Sequence, residues 1–564
     1  MPLVPAPLRV GHATRQHSAP ALFHRRFLLV IAGLGGLLYG IDIGIISAAL
    51  LYLGKTVDLT VAQTSAIVAA VLGGSMVSSL IAGFLADLAG RRKMMIASGL
   101  LFVCSVLLIV LSHGFLSLFL GRLMQGISGG VIAVVVPLYL AETLPAHSRG
   151  QGSATFQFML TFGIVMAAVI GWYFIRDAEL AIAAAHGNAM LIECAQNHAW
   201  RGMFLSVIYP GLLFSAGTFA LSETPRWLFR KGRSAEALAS LLRTSTADEA
   251  HREFANMQRF AAEGPEDTAA AGPLLQRKYI LPFVLACVVL ACNQATGINS
   301  ILGYLSLILK QAGMTATRAA QGDLAVKLLN CIVSLVAVSL IDRKGRKFLL
   351  TLGSAGVFLA LSLTAFFFHR EEVRRHDIPA ELQARVSDDR LSLNAGALRA
   401  LNPGETAPLS LTVVYSFGDG EKIATLATSD AETLNLAPET AGQRLLIRHA
   451  YLAPQPTQRE GWAITLCLAL FIASFSIGPG VVVWLILSEL MPTRIRSNGM
   501  GIALLINQGV STLIAGAFLP TVTDHGYATM FAIWATCTVV YFITAAFFLP
   551  ETKGKTLEEI EQAF

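Results

Sequence analysis

Apolar stretches of about twenty residues, the length that crosses a bilayer's hydrocarbon core as a helix, recur twelve times along the chain, separated by short polar breaks. The first six lie near 27–53, 62–86, 94–112, 115–140, 152–175 and 202–221. The second six lie near 279–309, 320–341, 347–368, 462–490, 498–520 and 526–549. We number them spans 1 to 12. The first run exceeds the roughly 7–15 apolar residues of a secretory leader and is read as a retained span. The pattern predicts an all-α integral membrane protein of two six-helix bundles, 27–221 and 279–549, with tails at 1–26 and 550–564.

Two polar stretches break the regular spacing. A linker at 222–278 joins the bundles, and within it 234–242 and 247–262 read as short surface helices. A second stretch, 369–460, interrupts the later bundle between spans 9 and 10. In it, alternating residues at 409–417 and 421–426 flank Gly418-Asp-Gly420, which predicts a β-hairpin. A smaller insertion at 176–199 is expected on the same face.

Basic residues set the orientation, because short cytoplasmic loops carry the excess of lysine and arginine. Arg25 and Arg26 precede span 1, and Arg91, Arg92 and Lys93 follow span 2. Arg226, Arg230, Lys231 and Arg233 follow span 6, and Arg343, Lys344, Arg346 and Lys347 follow span 8. Loops on the other side carry few, such as Lys55, Lys310 and Arg318. Both termini are expected in the cytoplasm, with both insertions outside it, in a multi-pass protein of the cell's inner membrane.

Composition agrees with a lipid-facing surface. Hydrophobic residues make up 54% of the chain and charged ones 14%, against roughly a quarter charged in soluble domains, and the mean hydropathy is +0.61. The formal charge of +6 gives no reason to expect nucleic acid as a partner. Cys104, Cys194, Cys287, Cys292, Cys331, Cys467 and Cys537 include no C-x-x-C pair. They read as small apolar packers, and no metal site is expected.

The two bundles repeat one another. Asp87-Leu-Ala-Gly-Arg91-Arg92 after span 2 matches Asp342-Arg-Lys-Gly-Arg346-Lys347 after span 8. Glu142 and Arg149 after span 4 match Glu489 and Arg496 after span 10 at the same separation. The offsets are 255 and 347 residues (342 − 87 and 489 − 142), and their difference locates the large insertion between spans 9 and 10. Duplicated six-helix halves are the architecture of transporters that rock about a central site.

With these motifs come Pro137-Leu-Tyr-Leu-Ala-Glu142, Ser222-Glu223-Thr-Pro-Arg226-Trp-Leu228, Gly478-Pro-Gly480 with Trp484, and Pro550-Glu-Thr-Lys-Gly-Lys555. The ordered set resembles the sugar porter family of the major facilitator superfamily over nearly the whole chain, apart from the N-terminal tail and the two insertions. That resemblance implies the major facilitator fold and a transporter, not an enzyme. It also implies that acids and arginines at helix ends pair as the cytoplasmic side closes and part as it opens. Gating roles are expected for Asp87, Arg91, Arg92, Glu142, Arg149, Glu223, Arg226, Asp342, Arg346, Glu489 and Arg496.

Charges inside spans are expensive and mark function. Asp42 and Arg122 fall at similar depths, about 16 and 10 Å from the outer ends of spans 1 and 4 at 1.5 Å per residue, so an ion pair between them is feasible. In the family, an acid at this position in span 1 marks proton symporters. The resemblance then implies that protonation of Asp42 releases Arg122 and biases which side the site faces. A purely structural buried pair is the alternative.

Sugar recognition needs amides, which both donate and accept, and aromatic faces that pack on the ring. Gln157 in span 5, Asn293, Gln294 and Asn299 in span 7, Asn330 in span 8, Trp484 in span 10 and Asn507 in span 11 are the candidates. They match the family's sugar-binding positions, with Asn293 where glutamine is usual. On an unbroken helix Asn299 points about 140° away from Gln294, so span 7 is expected to unwind near Gly297. Any one amide alone is explained equally well as hydrogen-bonding glue between helices. Three departures point to altered substrate choice: Ser476 for an acid of the glucose facilitators, Gln508 for a pocket tryptophan, and Gly303 for a gate tyrosine.

The leading expectation is import of a monosaccharide, a hexose or pentose, by proton symport through alternating access. The proton gradient is the energy source, and no cofactor is needed. The partners expected are a sugar or polyol, protons and the lipid bilayer, and the chain is expected to work as a monomer. A facilitative sugar or polyol uniporter is the alternative that Asp42 disfavours. A non-transporting sugar receptor is disfavoured by the fifteen or so residues after span 12.

Overall fold

Every apolar stretch becomes a helix in the computed structural model, which describes residues 19–263, 277–401, 407–418, 420–428, 433–438, 443–491 and 496–553. Spans 1 to 5 are Ala19–Thr56, Val61–Ala89, Arg91–Val110, Phe115–Thr143 and Ala146–Ala184. Span 6 is Ala189–Ser206 continued by Ile208–Phe219. Span 7 is Arg277–Ala295 and Ile298–Gln311, span 8 Ala316–Lys344 and span 9 Arg346–Glu372. Span 10 is Gln458–Ile477 and Pro479–Leu490. Spans 11 and 12 run on as Arg496–Ile543, divided at a non-helical Gly526, so that, among the described residues, eleven helical segments of spanning length and apolarity hold twelve spans. Large side chains such as Phe84, Leu111, Leu213, Phe366 and Leu513 stay exposed, as helices that meet lipid on one side and other helices on the other require.

Local chemistry fixes the ends and the close crossings. Capping boxes, Thr60 with Gln63 and Thr457 with Glu460, start spans 2 and 10, each satisfying two otherwise free backbone donors. Gly36, Gly40 and Gly44 recur at four-residue spacing along span 1, where it lies on span 5. A Cβ on Gly40 would stand 3.1 Å from the Gly163 Cα, so only small residues allow this approach.

The linker holds the helices Pro225–Arg230, Ser234–Thr244 and Ala247–Glu263, close to the two expected there. The large insertion is slightly shorter than 369–460, since span 9 reaches Glu372 and span 10 begins at Gln458. Its hairpin is present. With β1 His376–Asp377, β2 Leu391–Leu393, β3 Leu409–Ser416, β4 Glu421–Ala427, β5 Leu434–Leu436 and β6 Leu446–Pro454, β3 and β4 pair antiparallel from Ser416 opposite Glu421 to Ser410 opposite Ala427. One sheet runs β1-β6-β3-β4, and β2 pairs with β5 beside it. Leu382, Leu398, Leu411, Val413, Leu426 and Leu452 fill its own small core. The expected smaller insertion at 176–199 is not a separate loop. Apolar and alanine-rich sequence carries span 5 on to Ala184, and Asn188 caps a helix that restarts at Ala189. The tail residues 1–18 and 554–564 lie outside the described residues.

The halves meet mainly at the end that bears the insertion. There a Cβ on Gly303 of span 7 would touch Val68 and Ile46 at 3.5 and 3.8 Å, and one on Gly516 of span 11 would touch Ala69 at 3.6 Å. Toward the opposite, basic end, Cβ atoms on Gly83 of span 2 and Gly501 of span 11 would meet nothing within 4 Å. The insertion itself reaches across: Lys422 of β4 pairs with Asp58, in the loop between spans 1 and 2. Burial, with the Asp58 charge nearby, pushes the Tyr415 hydroxyl of β3 up to about 12.

Candidate functional site

Asp42 and Arg122 meet. Arg122 Nη1 donates to Asp42 Oδ1 at 3.0 Å and to Gln125 Oε1 at 2.7 Å, and both residues of the pair are buried, at 0% and 2% exposure. The Arg122 guanidinium lies 5.6 Å from the centre of the Phe204 ring. Asp42 Oδ2, Arg122 Nε and Gln125 Nε2 are buried without a protein partner. One turn before Asp42, the Tyr39 hydroxyl lies near Ser75 of span 2 and Gln508 of span 11. Gln508, the amide that departs from the family's pocket tryptophan, thus lies beside the span that carries the acid.

Span 7 breaks where convergence requires it. Gly297 takes φ 79° between its two helical pieces, a left-handed conformation open to glycine at no steric cost, and its face lies on the Trp534 ring. The break brings the amides together. Asn299 Nδ2 donates to Gln294 Oε1 at 3.0 Å and to Ser511 Oγ at 2.8 Å. Gln294 Nε2 donates to Asn507 Oδ1 at 3.3 Å and to Asn293 Oδ1 at 3.5 Å. Asn293 also donates to the Pro479 carbonyl at 3.0 Å, and Asn507 to the Leu290 carbonyl at 3.1 Å. Asn330 stands apart, accepting from Ser476 Oγ at 2.7 Å. Gln157 and Trp484 are exposed side chains outside this hydrogen-bonded cluster.

At the basic end the charged motifs form two copies of one arrangement, each within a single half. Arg91 Nη2 pairs with Glu142 Oε1 at 2.9 Å and with Asp87 Oδ1 at 2.6 Å. Thr224 Oγ1 donates to Glu142 Oε2 at 2.6 Å, and Glu223 accepts the backbone N–H groups of Arg91 and Arg92 at 3.0 and 3.2 Å. In the second half Arg346 Nη2 pairs with Glu489 Oε1 at 3.3 Å, and Thr552 Oγ1 donates to Glu489 Oε2 at 2.6 Å. Arg92 donates to the Phe219 carbonyl at 2.7 Å. Arg226 pairs with Glu253 at the surface, at 3.3 Å. The side chains of Arg149, Asp342 and Arg496 lie outside the described residues.

Sequence reasoning passed over two groups. Glu551 and Thr552 complete the second copy just described, and their match to Glu223 and Thr224 was readable in the paired Glu-Thr dipeptides. Asp323 and Lys327 of span 8 form a buried ion pair at 2.7 Å. The signal for it was two opposite charges four residues apart in an apolar run.

Known proteins match the chain along its length. The model of a family described as "Sugar (and other) transporter" matches residues 28–376 and 445–564, leaving out most of the insertion. A probable inositol transporter 2 of Arabidopsis thaliana is 29% identical, over 94% of this chain and 90% of its own. The glucose transporter GlcP of Staphylococcus epidermidis is 27% identical, over 95% and 97%. The proton myo-inositol cotransporter of Homo sapiens is 28% identical, over 98% and 83%. Among solved structures, the inward open conformation of the xylose transporter XylE from E. coli superposes with a TM-score of 0.67 at 20% identity, covering 95% of this chain and 99% of that one. The fold is therefore that of the major facilitator transporters.

Proposed function

Because the chain belongs to the sugar (and other) transporter family, and so is a multi-pass membrane transporter and not an enzyme, we propose that it imports a small sugar or polyol together with protons. The observation that carries this reading is the buried pair of Asp42 and Arg122, at 3.0 Å. A carboxylate in this position can take up a proton, and its neutral form no longer holds the guanidinium. Spans 1 and 4 are then free to shift relative to each other, which is the movement alternating access needs. The energy source is the proton gradient, and no cofactor takes part.

The substrate sits among Gln294, Asn299, Asn507 and Asn293, where amides now bonded to one another exchange those bonds for ligand hydroxyls. Gln157 of span 5, Asn330 of span 8 and Trp484 of span 10 are assigned to the same substrate path. An exposed tryptophan and an exposed glutamine are the groups left to receive a ring. Gln508, near Tyr39, offers an amide where an aromatic face would select a flat pyranose surface. This favours a polyol or cyclitol beside a hexose or pentose, and it accords with the inositol transporters among the relatives.

The basic end faces the cytoplasm, as its Arg91, Arg92, Arg230, Arg346 and Lys347 demand, and both termini lie there. The membrane is the cell's inner membrane, and the chain works as a monomer. Contacts between the halves at the insertion end, with Cβ atoms on Gly83 and Gly501 meeting nothing within 4 Å, fit a transporter open to the cytoplasm, in which the Arg91–Glu142 and Arg346–Glu489 pairs, each inside one half, stay formed instead of parting. Counterflow in proteoliposomes against a panel of hexoses, pentoses and cyclitols, with a pH-sensitive dye outside, tests the reading. Solute-driven alkalinisation of the outside supports it; solute entry with no proton movement rejects symport in favour of facilitated diffusion.

A further inference from the structure

Span 8 carries a second buried pair of charges. Lys327 Nζ lies 2.7 Å from Asp323 Oδ2, and the two residues are 0% and 1% exposed. The hydrogen bonds that complete their shells come from span 1, across the boundary between the halves. Lys327 Nζ donates to the Gly44 carbonyl at 3.1 Å, and Ser47 Oγ lies 3.1 Å from Asp323 Oδ1. Ser47 in turn sits 3.1 Å from Ser306 Oγ and accepts the Ser306 backbone N–H at 2.9 Å. Gly44 and Ser47 follow Asp42 by two and five residues, so one stretch of span 1 touches Arg122 on one side and the span 8 pair on another.

We propose that Asp323 and Lys327 are positioning residues for the transport cycle: a lock that holds the insertion end shut by binding the Ser47 hydroxyl and the Gly44 carbonyl. A buried ion pair is weak evidence for stability, because two charges must leave water. This one gains its remaining partners only while span 1 is pressed against spans 7 and 8. When the halves part at this end, Ser47 and Gly44 withdraw and water takes their place around the pair. The hydrogen bonds from span 1 therefore favour the closed arrangement and contribute nothing to the open one, which is what a lock requires. Asp42 and the lock share a rigid helix, so a shift of span 1 that follows release of Arg122 is transmitted to Ser47.

A cysteine at position 303 reads the closure directly. Gly303 is buried in the closed end, and a Cβ there makes only ordinary contacts with Val68 and Ile46, so a small side chain such as that of Gly303→Cys is the substitution this position takes best. The purified full chain carries it with the exposed Cys104 and Cys194 replaced by Ala and Ser, and the same background without Gly303→Cys serves as blank. The rate of labelling by a water-soluble maleimide reports how often the end opens. Ser47→Ala removes a partner of Asp323 in the closed state alone and is expected to raise that rate at least about fivefold, the lower bound for losing a buried hydrogen bond. Asp323→Asn with Lys327→Gln, which discharges both members together, is expected to raise it as well. If the double variant fails to fold, the Ser47→Ala rate alone decides. Labelling within twofold of the parent in a monodisperse Ser47→Ala protein overturns the lock. Since labelling uses neither sugar nor a proton gradient, its outcome is independent of whether the transport reading holds.

Discussion

Glu551 caps the helix that begins at Arg346: one carboxylate oxygen accepts the Arg346 backbone N–H at 3.0 Å, and the other accepts that of Lys347 at 3.2 Å. Glu223 does the same for Arg91 and Arg92 in the first half. The turn before each helix is a glycine at positive φ, 104° at Gly90 and 91° at Gly345, and the acid lies where a Cβ would go. An anion at a helix N-terminus satisfies free donors and meets the positive end of the dipole. The charged motifs at the basic end thus owe part of their composition to helix capping, a stability role distinct from gating.

Loss of that cap has a measurable cost. Glu551→Ala is expected to destabilise the second half by about 0.5–2 kcal/mol, the usual range for removing a helix cap. Gly345→Ala is expected to cost at least as much, because its Cβ would stand 2.6 Å from Glu551 Oε2 in a left-handed backbone. Thermal unfolding of purified protein, followed by tryptophan fluorescence, checks both. An unchanged midpoint for the pair of variants contradicts the capping role.

The pocket makes a sharper demand. Gln294 is 8% exposed and bonded to three other amides, so Gln294→Ala leaves both a ligand hydroxyl and its neighbours short of a partner. A loss of about 1–3 kcal/mol predicts binding weakened roughly tenfold or more for the best ligand found by screening. Trp484→Ala, which removes only ring packing, is expected to weaken binding less. Unaltered affinity in both variants, measured by calorimetry, places the substrate elsewhere.

Most of the fold was legible because its signals are local: apolar length, basic loops and an internal repeat. The break at Gly297 was legible too, since Gln294 and Asn299 cannot converge on a straight helix. That Asp42 and Arg122 could pair followed from their similar depths. What the sequence hid is what depends on the relative position of the halves. The i, i+4 spacing of Asp323 and Lys327 hinted at a pair, but Asp323 lies near the start of span 8, where a charge reads as a helix end in water, and its burial follows from the seating of span 1 against spans 7 and 8. The continuation of span 5 to Ala184 was missed because polar residues such as Arg176 and Glu179 looked like a loop. Glu179 instead accepts the Tyr52 hydroxyl at 2.7 Å, which keeps the extended helix against span 1.

The insertion is expected to be dispensable for folding. It has its own leucine core, the matching loop between spans 3 and 4 is only the few residues from Leu111 to Gly114, and the family's common frame omits most of it. Replacing residues 376–454 by a short flexible linker should leave a monodisperse twelve-helix protein with unchanged helicity apart from the deleted segment. Because Lys422 holds Asp58, the deletion should also ease opening at this end, seen as faster labelling of the Gly303→Cys reporter. A deletion variant that aggregates where wild type does not shows that the sheet supports the helices.

Coupling separates symport from facilitated diffusion most directly. If Asp42 carries the proton, Asp42→Asn abolishes accumulation driven by a proton gradient, because the amide keeps the volume and some hydrogen bonding of a protonated acid but cannot cycle. Counterflow, which requires no net proton movement, should survive at least in part, since the site and its two access states remain. Wild-type vesicles should alkalinise the outside on addition of the transported solute, and Asp42→Asn vesicles should not. Arg122→Ala is expected to damage both modes, because it strands a carboxylate that is 0% exposed and whose Oδ2 already lacks a protein partner. Asp42→Asn combined with Arg122→Gln removes both charges together and should regain counterflow over Arg122→Ala, which distinguishes a stranded charge from a lost binding residue. Uphill accumulation undiminished in Asp42→Asn would rule out this acid as the coupling group and leave the pair with a structural role alone.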